Sequence, residues 1–359
     1  MSQVFYASLP DNPATDQQVA AVKKLITAIK LREMIVPDDF VAIKLHVGEA
    51  NNTTHVKPEL IKAIVDEAHS KSGNVFLTET STLYKGEREN AVKHLLHAHK
   101  HGFGIERIGA PFIMADGLTG NSEIEVAIDG IHDRTVKIAR EIALADVLIV
   151  VSHPTGHLQT GLGACLKNLG MGLASRAGKL RQHSAIMPEV ITARCRFCKK
   201  CLNWCPEAAI VESGQKAFIL RDKCVGCGEC LTVCRYDAIK YDWGTESELL
   251  QQRMAEHAYG VVKGKEGKCI YLNVLVNMTG DCDCYDTDQS KIIPDLGILI
   301  SKDPVAIDKA TLDLTREANS KSLAEISYPE LDPLHQLEHG VKLGMGSLEY
   351  ELINVKSEK

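Results

Sequence analysis

Eight of the chain's twelve cysteines fall within forty residues, between Cys195 and Cys234. The first four, Cys195, Cys198, Cys201 and Cys205, have the spacing C-x2-C-x2-C-x3-C, with Pro206 after the last. The second four, Cys224, Cys227, Cys230 and Cys234, repeat that spacing, with Arg235 where a proline is usual. Three cysteines at short intervals wrap one cubane in a tight loop, and the fourth points to the other cluster. The spacing therefore predicts two 4Fe-4S clusters. One takes Cys195, Cys198, Cys201 and Cys234, and the other takes Cys224, Cys227, Cys230 and Cys205. Structural zinc uses four ligands, commonly as two separated pairs, and fits a doubled run of four cysteines less well. Arg235 leaves the ligands intact; it is either a solvated side chain or a positive charge near a cluster. Ala208-Ala209-Ile210 and Asp237-Ala238-Ile239 follow the two motifs and suggest a duplicated half. The segment is poor in large apolar residues, so metal must supply much of its folding energy.

A second candidate lies upstream. Asp146 to Ser152 is a continuous apolar run, as in a central parallel strand. His153-Pro154-Thr155-Gly156-His157 reads as a turn, and Gly161-Leu162-Gly163 leads into a helix from Ala164 to Leu169. A strand, a glycine turn and a helix N-terminus predict an anion site. Thr155, Gly156, Gly161, Gly163, Lys167 and Asn168 are the candidate cofactor-binding residues, with Thr160 assisting. The loop is neither a phosphate-binding Walker motif nor a complete dinucleotide fingerprint, and close helix–strand packing would also explain its glycines. FMN fits it better than NAD. His46 and His157 are the candidate acid–base groups, with His153 and His183 behind them. His94, His97 and His101 sit near a helix C-terminus, which alone explains them. Cys282 and Cys284, flanked by Asp281 and Asp283, form either an ordinary thiol pair or part of a metal site that Cys165 or Cys269 would complete.

These residues need a scaffold. Thr15-Asp16-Gln17-Gln18 reads as a capping box before a helix, and Pro58 as the first residue of another that Gly73 ends. A helix is expected from about Glu87 to His101, stopped by Gly102, and others over Ile138–Ala145 and Glu246–Tyr259. Strands are expected over Val4–Ala7, Phe40–Val47, Asn74–Thr78, Ile270–Val276 and Leu296–Ile300, with an edge strand at Glu123–Ile128. Asp303-Pro304 is a helix-start pair. Alternating strands and helices predict an α/β fold with a mainly parallel sheet and flanking helices. The cysteine segment interrupts this pattern. The expected organisation is a discontinuous α/β domain over 1–188 and 246–359, with an inserted ferredoxin-like domain at 189–245.

Composition bounds the function. Apolar residues make up 45% of the 359 and charged residues 25%, with a formal net charge of −6. An acidic chain without a long basic run is not expected to bind nucleic acid. Its N-terminus lacks the pattern of a signal peptide, and no apolar run reaches bilayer length, so a cytoplasmic protein without a membrane span is expected.

Several segments carry a resemblance along nearly the whole length. They are Lys44-Leu45-His46-Val47-Gly48-Glu49, Thr82-Leu83-Tyr84-Lys85-Gly86-Glu87-Arg88, Ala115-Asp116-Gly117-Leu118, Gly156-His157 with Gly163 to Gly172, Cys282-Asp283-Cys284 and Ser301 to Asp308. The chain resembles the Fe–S centre protein family, a family of unknown function whose members often carry a ferredoxin insert. The resemblance implies fold and clusters, not a reaction. The expected function is electron transfer between the two clusters and a flavin or substrate site in the α/β domain, hence an oxidoreductase. One alternative is a carrier that docks a redox partner protein through Arg194, Arg196, Lys199 and Lys200. Another is assembly of a metal centre on Cys282 and Cys284.

Overall fold

The computed structural model describes residues 1–183, 188–205, 207–224, 228–240 and 246–355. Pro206, Val225, Gly226, Cys227 and Trp243 lie outside the described residues. So does Thr245, the last residue of the expected insert.

Eight strands form the main sheet: β1 (Ser2–Ser8), β2 (Val41–Lys44), β3 (Val75–Glu79), β4 (Phe112–Met114), β5 (Val147–Ser152), β6 (Cys269–Leu275), β7 (Gly297–Ser301) and β8 (Tyr350–Asn354). Their order is β8-β1-β7-β6-β5-β2-β3-β4. Only β7 runs against its neighbours, β1 and β6; every other pair is parallel. The fold is thus α/β with a mainly parallel sheet. Both faces are covered, which is why the central strands read as unbroken apolar runs. Val147, Ile149 and Val151 face one core with the Thr15–Ala28 and Pro58–His69 helices. Leu148 and Val150 face the other, with the Cys165–Gly170, Ser247–Val262 and Pro304–Asn319 helices.

Local signals mostly hold, with physical reasons where they do not. Asp303 caps its helix, its Oδ1 accepting from the amides of Val305 and Ala306 at 2.8 Å each. The first helix begins one residue earlier than its sequence signal: Ala14 is the cap, and only the returning half of a capping box forms, with Gln17 Oε1 accepting from the Ala14 amide. Pro58 opens its helix, but Ser70 and not Gly73 closes it. The expected Glu87–His101 helix starts at Ala91 behind an Asn90 cap, and its end loosens into a π-turn over His99–Phe103. Ile138–Ala145 divides into a strand, Thr135–Ala139, and a short helix, Arg140–Leu144. Val136 and Ile138 alternate into the core, so period two wins there over period 3.6. Glu123–Ala127 pairs with that strand in a separate hairpin and is not an edge of the main sheet.

The cysteine segment is held differently. Its ends close through Glu189–Val190 paired with Ile239–Lys240. Its small core is Cys195, Ile210, Ala217, Ile219, Cys230, Leu231, Ala238 and Ile239, joined by Leu83 and Leu180 from the surrounding body. Gly228 makes that junction close: its φ is +76°, and a Cβ there would lie 2.0 Å from Leu180 Cδ2. Lys85 and Asp237 add an ion pair at 2.6 Å.

Candidate functional site

The carboxyl ends of four adjacent parallel strands, β3, β2, β5 and β6, deliver the residues of one cavity of about 530 Å³. This is where open parallel sheets bind ligands. His46 and His157 both line it, as do Thr155, Gly163, Lys167 and Asn168. Gly156 and Gly161 do not. Gly156 packs instead: a Cβ there would lie 2.0 Å from the Gly280 carbonyl oxygen. Gly161, at φ +68°, starts the return strand of a hairpin pairing Thr155–His157 with Gly161–Gly163.

That hairpin replaces the expected strand–glycine–helix cradle. The following helix, Cys165–Gly170, is only six residues long. Its first two amides, Cys165 N–H and Leu166 N–H, donate to the two oxygens of Asp308 at 2.9 and 2.8 Å. Asn273 Nδ2 also donates to Asp308, at 2.8 Å. The donors that were to hold an anion therefore already hold a carboxylate. Lys167 is committed as well, its Nζ donating to Cys282 Sγ at 2.9 Å. The residues here do not fit the phosphate of FMN.

Buried charge dominates the opposite wall. Lys44 Nζ donates to Glu79 Oε1 at 3.1 Å, Asn168 Oδ1 at 2.7 Å and the Leu45 carbonyl at 2.5 Å. Glu79 Oε2 also accepts from the Val47 amide at 3.2 Å and lies 3.1 Å from His94 Nε2. Burial opposes the Glu79 charge, yet Lys44 and the neighbouring histidines outweigh it and hold the carboxyl well below its usual range. Arg88 donates from Nε to Glu49 Oε1 at 2.8 Å and from Nη2 to the Tyr84 hydroxyl at 2.5 Å. Lys44, Glu79, Arg88 and Tyr84 line the cavity and were not singled out as site residues, although the resemblance segments contain Lys44, Tyr84 and Arg88. The His94 and His97 rings do more than face a helix end. With His101 they brace the loop after β2 through Glu79 and the carbonyls of Gly48 and Val47.

The histidines divide by protonation. His46 Nδ1 accepts from the Gly48 amide at 3.0 Å, so its proton sits on Nε2 and the ring is neutral. Burial and then Arg88 push its pKa well down. Burial, with Lys167 and His183 nearby, does the same to His157. His153 is the reverse. Nδ1 donates to Asp283 Oδ2 at 2.8 Å and Nε2 to the Asn277 carbonyl at 3.1 Å, the pattern of an imidazolium. Burial opposes that charge, but Asp283 raises the pKa overall. His183, also in the wall, is held down to about 3 by burial.

Cys282 and Cys284 share the cavity; Cys165 and Cys269 are buried elsewhere and do not join them. A turn closed by the Tyr285 amide on the Cys282 carbonyl, at 2.9 Å, folds one cysteine toward the other. The Cys284 amide donates to Cys282 Sγ at 3.4 Å. A hydrogen bond from the Cys284 thiol lowers the Cys282 pKa, and Lys167 adds to this against burial. The same bond, then burial, raises Cys284.

In the cysteine segment, Cys195, Cys198, Cys201 and Cys234 line one small cavity. Burial and the sulfurs of Cys234, Cys198 and Cys195 push the Cys201 thiol up to about 11, a crowding that suits four ligands of one cluster. Two amides four residues on from equivalent cysteines donate to sulfur at 3.3 Å, Ala209 to Cys205 and Ala238 to Cys234. Ala208 and Asp237 share a positive φ, 46° and 49°. The suspected duplication is thus written in the backbone. Of the other four, Cys205, Cys224 and Cys230 are described and free of disulfides, whereas Cys227 lies outside the described residues. Arg194, Arg196, Lys199, Lys200 and Arg235 are all exposed. Among the described residues, no helix is long and apolar enough to cross a membrane.

Comparison with known proteins gives partial matches. A component of the selenate reductase of Mesobacillus selenatarsenatis is 36% identical over 75 residues, 19% of this chain and 26% of that protein. A ferredoxin of Saccharopolyspora erythraea is 43% identical over 44 residues, 12% of this chain and 42% of the ferredoxin. The chain thus spans less than half the length of either relative. Among solved structures, the lactate racemase apoprotein of Thermoanaerobacterium thermosaccharolyticum aligns at a TM-score of 0.38 and 13% identity, covering 75% of this chain and 50% of that one. A family described as "Domain of unknown function (DUF362)" matches residues 41–313, which take in β2 through β7 and both the cavity and the cysteine segment. The chain belongs to that family.

Proposed function

We propose that this protein is an iron–sulfur oxidoreductase in which residues 189–245 form an inserted ferredoxin-like unit that exchanges electrons with a small organic molecule in the cavity. The partial likenesses to a ferredoxin and to a selenate reductase component support the electron-transfer part of this reading. Cys195, Cys198, Cys201 and Cys234 would hold one 4Fe-4S cluster, and Cys224, Cys227, Cys230 and Cys205 the other. Each cluster supplies one-electron chemistry when bound.

The observation that carries the reading is the shared wall. Leu83 lines the cavity and also packs in the core of the cysteine segment. Leu180 lies in that same core, on a helix whose Lys179 and His183 face the cavity. One layer of side chains therefore separates the two regions. On the cavity side, neutral His46 can give a proton from Nε2, His157 is a second neutral imidazole, and the Arg88 guanidinium can orient an anionic group. FMN is not assigned, because Asp308 and Cys282 occupy the donors its phosphate would need.

The test is anaerobic reduction of the iron-loaded full chain, followed by mixing with small organic acceptors, namely disulfides, quinones, enones and α-keto acids. Leu158 is 44% exposed at the cavity wall, so Leu158→Trp fills the cavity without disturbing the core. The reading predicts an acceptor that restores the oxidised cluster spectrum severalfold more slowly in that variant. Equal rates for every acceptor would favour the docking carrier, with the exposed basic residues at Arg194 to Lys200 as its contact.

A further inference from the structure

The cavity holds two sulfurs in a built environment that the proposed electron transfer has not yet used. Cys282 is buried and Cys284 half-buried, and both line the cavity. The turn between them is clamped from every side. Asp283 Oδ1 accepts from Asn52 Nδ2 at 3.1 Å and Thr54 Oγ1 at 3.0 Å, while its Oδ2 accepts from His153 Nδ1 at 2.8 Å. The Asp283 carbonyl accepts from the Glu49 amide at 3.1 Å, and the Cys284 carbonyl from the Tyr84 hydroxyl at 3.4 Å. With Asp283 drawn away, both thiols are left on the cavity side. Positions one and three of a tight turn lie within the Cα separation a disulfide spans.

A metal site is the competing use of two cysteines. Here the cation beside Cys282 is the Lys167 ammonium, 2.9 Å from Sγ. Among the described residues, the three-ligand grouping found is His132, Glu256 and His339, which includes neither cysteine. His153 and Asp283 are spent on each other. A sulfur beside a lysine, with a second thiol two residues on in the same tight turn, is instead the arrangement of a reactive dithiol.

We infer that Cys282 and Cys284 form a dithiol–disulfide couple, the cavity's own two-electron centre, whose substrate is a small-molecule disulfide. This rests on the reading of the cavity as the electron-transfer site. The Cys282 thiolate attacks one sulfur of the substrate disulfide; a Cys282–substrate S–S bond forms and the other substrate sulfur leaves as thiolate. Cys284 then attacks Cys282 Sγ, its proton passing to a leaving sulfur, and the second substrate thiol departs. The enzyme is left with a Cys282–Cys284 disulfide. Two electrons and one proton restore the thiolate–thiol pair, and two one-electron iron–sulfur clusters provide that number. Lys167 holds the thiolate charge and is a positioning residue.

The experiment uses the anaerobically iron-loaded full chain. It is equilibrated in dithiothreitol buffers of graded potential, acid-quenched and alkylated. The peptide Cys269–Lys291, which contains Cys282 and Cys284, is then read by mass spectrometry, with Cys269→Ser to remove the third thiol. The expected result is an internal disulfide that appears in a single two-electron step, while Cys165 stays alkylated throughout. Full alkylation at every potential, or a metal retained on the pair, overturns the inference. Lys167→Gln should lower alkylation of Cys282 at pH 6 by about tenfold and shift its pH profile upward; an unchanged profile overturns the role of Lys167. A second arm photoreduces the clusters with the pair oxidised. Reappearance of both thiols supports the couple and its supply together. A disulfide that titrates in the first arm but survives the second leaves the couple standing and overturns the path from clusters to cavity.

Discussion

The cysteine segment and the cavity sit side by side and are stabilised in opposite ways. The cavity is framed by a two-faced sheet whose central strands are buried throughout. Among the described residues, the segment has a core of only eight, two cysteines and two alanines among four aliphatic side chains, and leaves Trp204, Phe218 and Tyr236 about half exposed. One region is rigid before any ligand arrives. In the proposed reading the other gains its rigidity from the clusters it binds. An electron-transfer protein benefits from this division, since the preformed region fixes where the metal-dependent one docks.

The comparison breaks first at the metal. Cys201→Ser or chelation of iron should abolish hydrogen-exchange protection over 207–224 and 228–240, while β2, β5 and β6 keep theirs. Loss of protection in both regions at once would mean that the body also depends on the segment. Next in size is the buried pair of the cavity. Lys44→Met leaves Glu79 without its closest cation and should cost about 3 kcal/mol in denaturant unfolding. A cost under about 1 kcal/mol would show that Arg88 and His94 alone balance Glu79.

The junction between the regions is weaker. Gly228→Ala places a Cβ against Leu180 in a left-handed conformation and should cost about 1–2 kcal/mol. Its effect should be read in exchange at both 228–240 and the Arg176–His183 helix. A change confined to the segment would mean that the two do not move together.

The smallest effect is a pH dependence carried by His153 and Asp283. Their pKa values move apart, His153 upward and Asp283 downward. The Asp283 contribution is present above about pH 4, the unfolded carboxyl value, and is lost as pH falls through its lower folded value. The His153 contribution is present below about pH 6.5 and is lost as pH rises through its higher folded value. The pair therefore stabilises most between about pH 4 and 6.5. Asp283→Asn should flatten a stability-against-pH curve on both sides of that window, which chemical denaturation across the range would record.

How legible was this in the sequence? The strands were, because a buried parallel sheet writes unbroken apolar runs such as Val147–Ser152. The eight cysteines stand out in the sequence because their spacing is local. The anion loop misled for the opposite reason. Its strand, glycines and helix start are local, but the carboxylate that fills it, Asp308, lies 143 residues beyond Cys165. The buried ions escaped notice similarly. Lys44, Glu79 and Arg88 look like surface residues until the fold brings Lys44 and Glu79, 35 residues apart, into one wall. His46 and His157, which line the cavity, could be singled out because a histidine near a strand end is chemically conspicuous wherever its partners lie.

In the proposed function, residues 195–234 hold two 4Fe-4S clusters in electronic contact with each other. Electron paramagnetic resonance on the anaerobically prepared and fully reduced full chain, with iron and acid-labile sulfide measured on the same sample, tests it directly. The account predicts equal amounts of iron and sulfide, enough for two cubanes per chain, and a spectrum broadened by coupling between two reduced clusters. Zinc in place of iron, iron without sulfide, or the signal of a single isolated cluster would contradict it.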